Sequence, residues 1–168
     1  MADRARWFCR LGTTLTGEDH RAARAYLVAL GQPELEVRLA ADAASAEAIM
    51  RDPGWDTRWW VREEAERKRL TGRVSRTHGL RATLEALSAA TEGHTENSFR
   101  QAMAAPALAP GGEALARAAA GALLMALHGQ ALARLGGCEE SHLFMRKYAL
   151  FSLGRWPLGV AGGALHLF

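Results

Sequence analysis

The sequence has few β-branched aliphatic residues, with five valines and one isoleucine against 34 alanines and 23 leucines. Valine and isoleucine favour the pleated surface of sheets, whereas alanine and leucine lose little entropy in helices. This composition excludes a predominantly β architecture and favours a mainly helical protein. Because a GC-rich bacterial genome produces a similar bias, the prediction depends on the periodicity described below.

Cysteines and long apolar runs are also scarce. The two cysteines, Cys9 and Cys138, are not spaced as a C-x-x-C motif, which excludes a disulfide framework and favours free thiols in the cytoplasm. The longest apolar run covers ten residues, 118–127, where a membrane span needs about 20, so no membrane partner is expected. The 168 residues suit a single globular domain over 1–168.

Common catalytic and cofactor motifs are missing as well. The sequence contains no G-x-G-x-x-G, G-x-x-x-x-G-K-[ST], G-x-S-x-G or H-E-x-x-H pattern. These absences weaken the nucleotide-binding, serine hydrolase and zinc protease interpretations. The sequence therefore predicts no cofactor, and it leaves open whether the protein is an enzyme.

Charge is distributed unevenly along the chain. The formal net charge is +3, but residues 1–57 carry −2, residues 58–81 carry +5, and residues 82–168 carry zero. The basic character is therefore confined to one segment of 24 residues. A segment of this kind is typical of a solvated helix face with paired charges or of a nucleic-acid contact surface.

Local patterns predict most of the secondary structure. Thr16 and Asp19 have the spacing of a capping box, and the helix that they begin is expected to end before Gly31. The alternating residues 35–39 predict a half-buried strand. Further along the chain we expect helices over 43–50, 56–71, 80–93 and 97–105, a basic loop over 73–78, and a linker over 106–112.

The C-terminal third predicts the centre of the fold. Residues 113–135 form the longest helical pattern, apolar nearly all round between 118 and 127, and are expected to form a central buried helix. Two apolar runs around 161–163 predict a C-terminal β-hairpin. The expected fold is α+β and mostly helical, with about six helices around 113–135 and a small antiparallel sheet that includes the hairpin.

A tryptophan-rich segment supplies the main candidate binding site. If Asp56 is the N-cap, Trp55 and Trp60 occupy the two positions of a hydrophobic staple. The tryptophans then either pack on the core or form an exposed anchor, since Trp and Arg are frequent in interface hot spots. The candidate partner-binding residues are Trp55, Trp59, Trp60, Arg67, Arg69 and Arg73.

This segment favours a non-catalytic protein-binding function, as an accessory subunit of a bacterial complex, with another protein or a second copy of the chain as partner. The hypothesis requires the basic side of the tryptophan helix to face solvent. An alternative use of the same charges, over 58–81, is nucleic-acid binding, with arginines on phosphates and a tryptophan stacked on a base.

A second alternative is a small metal-dependent enzyme. Glu139 and His142 are three residues apart, as in the Glu-x-x-His half-sites of di-iron bundles, and iron or manganese suits such ligands. Glu63 or Glu64, together with His128, could complete the site. The sequence has no second Glu-x-x-His pair, however, and acidic residues in this position also suit the start of a helix.

Overall fold

A computed structural model describes residues 6–168, which form six α-helices, one 3₁₀ turn and a three-stranded sheet. With 64% of residues 6–168 in helices, the predicted mostly helical α+β class is confirmed. In chain order the elements are α1 (Gly17–Leu30), β1 (Glu36–Leu39), α2 (Ala43–Met50), α3 (Arg58–His78), α4 (Leu80–Ala104), the 3₁₀ turn (Ala109–Gly111), α5 (Gly112–Leu135), α6 (Leu143–Ser152), β2 (Pro157–Ala161) and β3 (Ala164–Leu167).

Helix α1 begins and ends as its sequence predicts. The Thr16 side chain accepts a hydrogen bond from the backbone N–H of Asp19, and the Asp19 carboxylate accepts one from the backbone N–H of Thr16. Gly31 ends the helix with φ of 76°, in the left-handed region that glycine adopts without strain. The predicted capping box and glycine stop are therefore confirmed.

The sheet is mixed, whereas the sequence predicted an antiparallel one. Strands β2 and β3 form the expected antiparallel hairpin, whose turn residues Gly162 and Gly163 both have positive φ. Strand β1 lies on the other side of β3 and runs parallel to it, with Val37 opposite Leu165. The alternation in 35–39 determines which side chains face the core, but it carries no information on strand direction.

Helix α3 is longer than its sequence predicted. The expected stop at Gly72 and the expected basic loop over 73–78 are wrong, because the helix continues to His78 and ends at Gly79. Leu70 and Val74, four residues apart, are both buried and extend the apolar face past the glycine. Their burial outweighs the cost of about 1 kcal/mol for a glycine inside a helix.

Helix α4 joins two segments that were predicted as separate helices. It runs through Gly93 without interruption from Leu80 to Ala104. It contacts both α3 and α5, and it is buried at Leu87 in its first half and at Ala102 in its second half. Contacts along the whole helix therefore stabilise the continuous form.

Helix α5 lies at the centre of the helical part, in contact with α3, α4 and α6. Its buried face is continuous from Leu115 to Ala133, which confirms the predicted central helix. The expectation that it is enclosed nearly all round is corrected, because Ala118, Gly121 and Met125 are exposed. No element within residues 6–168 covers this outer face.

The core has two parts that meet along α5. One contains residues of the N-terminal segment, α2, the 3₁₀ region, the end of α4, most of α5, the end of α6 and the C-terminal hairpin region. The other contains residues of α1, α3, α6 and the sheet. The expected linker over 106–112 belongs to the first part, because its Leu108 side chain is buried.

Candidate functional site

The three tryptophans at the start of α3 have different surroundings. The rings of Trp55 and Trp59 pack edge to face with centroids 5.9 Å apart, and Trp59 is 8% exposed. Both rings lie against the backbone of Gly159 in β2, where an added Cβ would be only 2.4 Å from the Trp55 ring. Trp60 is 54% exposed. Two of the predicted anchors thus pack against the protein itself, and one faces solvent.

The N-cap of α3 lies one residue later than predicted, and the predicted hydrophobic staple does not form. Thr57 is the N-cap, and the carboxylate of Asp56 accepts a hydrogen bond from the backbone N–H of Arg58. The expectation that Asp56 is the N-cap and that Trp55 packs on Trp60 is therefore wrong. The backbone N–H of Asp56 pairs with the Val160 carbonyl of β2, which brings Trp55 over the sheet.

A buried carboxylate fixes α3 against its neighbours. Glu63 is 2% exposed, and its two oxygens lie 2.5 Å from the Tyr26 hydroxyl and 2.6 Å from the Lys147 ammonium. Lys147 also lies over the Trp59 ring, 5.1 Å from its centroid. Burial, together with the charge of Glu63, raises the pKa of Tyr26 well above its ordinary value. One charged cluster therefore connects α3 with α1 and α6.

The three candidate arginines of α3 make different contacts. Arg67 lies 2.5 Å from the carboxylate of Glu64, and its side chain is 18% exposed. Arg69 makes two hydrogen bonds to the Glu66 carboxylate, and its side chain is 55% exposed. Arg73 donates to the Gly136 carbonyl oxygen, 2.8 Å away, and to the sulfur of Cys138. Arg69 is thus the one of the three with a largely solvent-facing guanidinium.

Acidic partners neutralise much of the positive charge in the 58–81 segment. Besides Arg67 and Arg69, both Arg58 and Arg81 pair with carboxylates, those of Asp56 and Glu85. Within 58–81, the basic side chains without a carboxylate partner among residues 6–168 are Arg62, Lys68, Arg73 and Arg76. Paired charges release fewer counterions from a phosphate backbone. Nucleic-acid binding therefore remains a prediction. The pairing of these arginines with carboxylates makes it less favourable.

The Glu139-x-x-His142 pair does not lie on one helical face, because α6 begins only at Leu143. His142 is the N-cap of α6: its Nδ1 accepts a hydrogen bond from the Phe144 backbone, and its Nε2 lies 2.9 Å from Glu66 Oε1. Glu139 is exposed. Both imidazole nitrogens of His142 are thus engaged in contacts within the protein, and the predicted helical alignment of Glu139 with His142 is wrong.

Glu66 connects this N-cap to α3. Its carboxylate also accepts the two hydrogen bonds from Arg69. These bonds hold the pKa of Glu66 below its ordinary value of 4.5, and the contact with His142 lowers it further. Partial burial acts in the opposite direction but does not outweigh them. A cleft of about 380 Å³ lies beside the pair and includes Arg62 and Ser141 in its walls. The sequence analysis had not connected Glu66 with His142, because they are 76 residues apart.

The other proposed metal ligands are also separated. Glu63 is engaged by Tyr26 and Lys147. His128 lies near Arg67, and burial followed by the charge of that arginine lowers its pKa. Across residues 6–168, no group of three or more His, Cys, Asp or Glu side chains is placed to hold a metal ion. The metal-site hypothesis therefore has no ligand set in the described part of the chain.

Three apolar side chains near the ends of α3 are exposed. Val61, which was not predicted as a site residue, is 56% exposed beside Trp60. Leu80 and Leu84 lie just past the turn at Gly79 and are also more than half exposed. The buried residues of α3 lie on one side of a helical wheel, and Val61 lies on the opposite side. That position could have indicated that Val61 faces solvent.

None of the helices formed by residues 6–168 is long and apolar enough to cross a membrane. Comparisons of the chain with protein-family models, with curated proteins and with solved structures found no match.

Proposed function

We propose that the protein is a non-catalytic accessory subunit of a bacterial complex and binds another protein through the exposed side of α3. The contact surface is the Trp60 patch, defined as Trp60, Val61, Ala65 and Lys68. Val61, Ala65 and Lys68 follow one another at spacings of four and three, so they share a helix face, and Trp60 flanks it. The observation that carries the proposal is the exposure of the Trp60 ring.

A tryptophan that is 54% exposed beside a valine that is 56% exposed is a costly surface for a protein to leave in water. Tryptophan is also enriched among the few residues that dominate interface energies. The helix that carries it is held in place by the buried Glu63 cluster. A rigid helix loses little conformational entropy when a partner covers it, which favours binding.

The charges around the patch favour an acidic partner surface. Lys68 lies within the patch and has no carboxylate partner among residues 6–168. Unpaired cations at the rim of an interface raise the rate of association with a surface of opposite charge and contribute to specificity. We therefore expect the partner to offer an apolar pocket for Trp60 with carboxylates beside it.

The proposal is non-catalytic because the acid–base groups on and beside α3 contact other groups of the protein. Glu63, Glu64 and Glu66 each accept contacts from basic or hydroxyl groups of the protein itself. His142 has both ring nitrogens engaged. Groups held in such contacts stabilise the helix packing, which is a structural role.

The test is retention of a partner by tagged protein in a lysate of the organism that encodes the chain, comparing wild type with Trp60→Ala. Leu84→Ala is the matched control, since it removes another half-exposed apolar side chain at a distance from the patch. We expect one protein in stoichiometric amount with wild type and with the control, and its loss with Trp60→Ala. Sedimentation of the purified protein shows whether that partner is a second copy.

Two results would contradict the proposal. One is equal retention of the same protein by wild type and Trp60→Ala, which would place the interface elsewhere. The other is a monomer that retains nothing from the lysate, because no contact would then depend on the Trp60 patch.

A further inference from the structure

A cleft of about 1210 Å³ lies away from α3, between the N-terminal segment 6–13 and the second half of α4. This volume is slightly above the range of about 300–1,000 Å³ that small-molecule sites occupy. Residues 104–107 also line it. The side chains that matter below are Arg6, Trp7, His94, Asn97 and Arg100.

Buried contacts hold the N-terminal wall of this cleft in place. Arg155 is fully buried and donates hydrogen bonds to the carbonyl oxygens of Arg10, Thr13 and Thr14 as well as to the Asp19 carboxylate. Phe8 packs edge to face on a phenylalanine of α6. The wall is therefore a preformed surface, and a ligand would not have to order it.

The lining combines aromatic rings with unpaired polar groups. Trp7 is 4% exposed, and its indole Nε1 is buried without an acceptor in residues 6–168. Its ring meets the His94 ring edge to face, with centroids 5.4 Å apart.

The charged groups of the lining have one sign. Arg6 and Arg100 both line the cleft, and neither makes an ion pair with a described residue. Within residues 6–168, the lining contains no aspartate or glutamate. Asn97 adds an amide that can donate to an oxygen. The cleft therefore favours a negative charge at its polar side and an apolar body against its rings.

We propose that this cleft binds a small organic anion with an aromatic body, one that carries a carboxylate, sulfonate or phosphate group. The anionic group lies between the guanidinium groups of Arg6 and Arg100, and the rings of the ligand lie against Trp7 and Phe8. The site is independent of the Trp60 patch, because its aromatic residues belong to the other part of the core.

The test uses two dyes that share the same rings. 8-Anilinonaphthalene-1-sulfonate carries the sulfonate, and N-phenyl-1-naphthylamine lacks it. We expect the fluorescence of the sulfonate dye to saturate at one site per chain. Its dissociation constant should be about tenfold lower than that of the neutral dye, because one charge-assisted contact contributes about that factor. Near-UV circular dichroism, recorded in the same samples, checks that the bound protein keeps its tertiary packing.

The variants compare two arginines of the same helix. Arg100→Gln removes a guanidinium that lines the cleft, whereas the control Arg81→Gln removes one that is 93% exposed and outside it. We expect Arg100→Gln to weaken sulfonate binding about tenfold and to leave the affinity for the neutral dye unchanged. The control variant should bind both dyes as wild type does. Arg6→Gln is expected to act as Arg100→Gln does.

Equal affinity for the two dyes in wild type would overturn the proposal, as would unchanged sulfonate binding in both cleft variants. Fluorescence that is accompanied by loss of the near-UV signal would also overturn it, because the dye would then report a loosened core. None of these results depends on a protein partner, so the accessory-subunit proposal is tested separately.

Discussion

The ammonium of Lys147 lies 2.6 Å from a carboxylate oxygen of Glu63, and the two side chains are 13% and 3% exposed. The other oxygen of Glu63 accepts a hydrogen bond from the Tyr26 hydroxyl. Because both partners come from other helices, this carboxylate determines how α3 lies against α1 and α6. The outward direction of the Trp60 patch depends on that placement.

Removal of one partner from this pair is expected to destabilise the fold. Glu63→Ala leaves the Lys147 ammonium largely buried without a counter-charge, and we expect a loss of about 3 kcal/mol in the free energy of unfolding. Urea titration of wild type and variant measures the difference. The control is the double variant Glu63→Leu with Lys147→Met, which leaves no charge unpaired and should lose clearly less. A loss below 1 kcal/mol for Glu63→Ala would contradict the assigned role.

The pair of Glu66 with Arg69 and His142 predicts a dependence of stability on pH. The pKa of Glu66 is lower in the folded protein than its ordinary value of 4.5. A carboxylate of this kind contributes stability above its unfolded pKa, and the contribution is lost as the pH falls through its folded pKa. We therefore expect the advantage of wild type over Glu66→Gln to be constant near neutral pH and to shrink below about pH 4.5.

Denaturant unfolding of wild type and Glu66→Gln between pH 7 and pH 3 measures this advantage. Carboxylates that do not contact Glu66 titrate alike in both proteins and cancel in the comparison. An advantage that does not shrink below about pH 4.5 would show that the contacts of Glu66 do not stabilise its charged form.

The two adjacent tryptophans of α3 are expected to differ in their effect on stability. Trp59→Ala removes a ring that packs on Trp55 and Gly159, and it should cost about 3 kcal/mol or more. Trp60→Ala removes a ring that is already half exposed, and it should cost less than about 1 kcal/mol. Urea midpoints of the two variants measure the difference. Similar losses would mean that Trp60 belongs to the core and would weaken the proposed interface.

Two glycines within α5 are expected to respond to alanine in opposite directions. An added Cβ at Gly121 meets no atom within 4 Å, so Gly121→Ala should stabilise the protein by about 0.5–1 kcal/mol through helix propensity. An added Cβ at Gly129 would lie 3.0 Å from the buried ring of Phe144, so Gly129→Ala should destabilise it by about 1 kcal/mol or more. Thermal unfolding of both variants tests the packing of α5 on α6, and stabilisation by Gly129→Ala would contradict it.

Features that depend on a few neighbouring residues were predicted well. The capping box of Thr16 and Asp19, the stop at Gly31, and the hairpin around Gly162 all follow from local hydrogen bonds and backbone conformation. The predicted helix after Asp42 is confirmed for the same reason, because that side chain caps it. In each case the interaction that decides the structure lies within about four residues of chain.

Predictions failed where distant contacts outweighed a local signal. Gly72 and Gly93 are typical of helix ends, but both lie inside helices that pack along their length. The staple of Trp55 was assigned to Trp60, but the pairing of Asp56 with the C-terminal hairpin brings Trp55 onto Trp59 instead. A local pattern could not show this, because the strand involved lies about a hundred residues further along the chain.

The sequence by itself determined the mostly helical class, the terminal hairpin, and the charge and aromatic residues of the α3 segment, because composition, capping and periodicity act locally. Only the tertiary structure decided that β1 runs parallel to β3 and that Trp59 is buried while Trp60 is exposed. It also brought Glu63 together with groups 37 and 84 residues away. These outcomes depend on which helices and strands pack together, and that packing minimises the free energy of the whole chain at once.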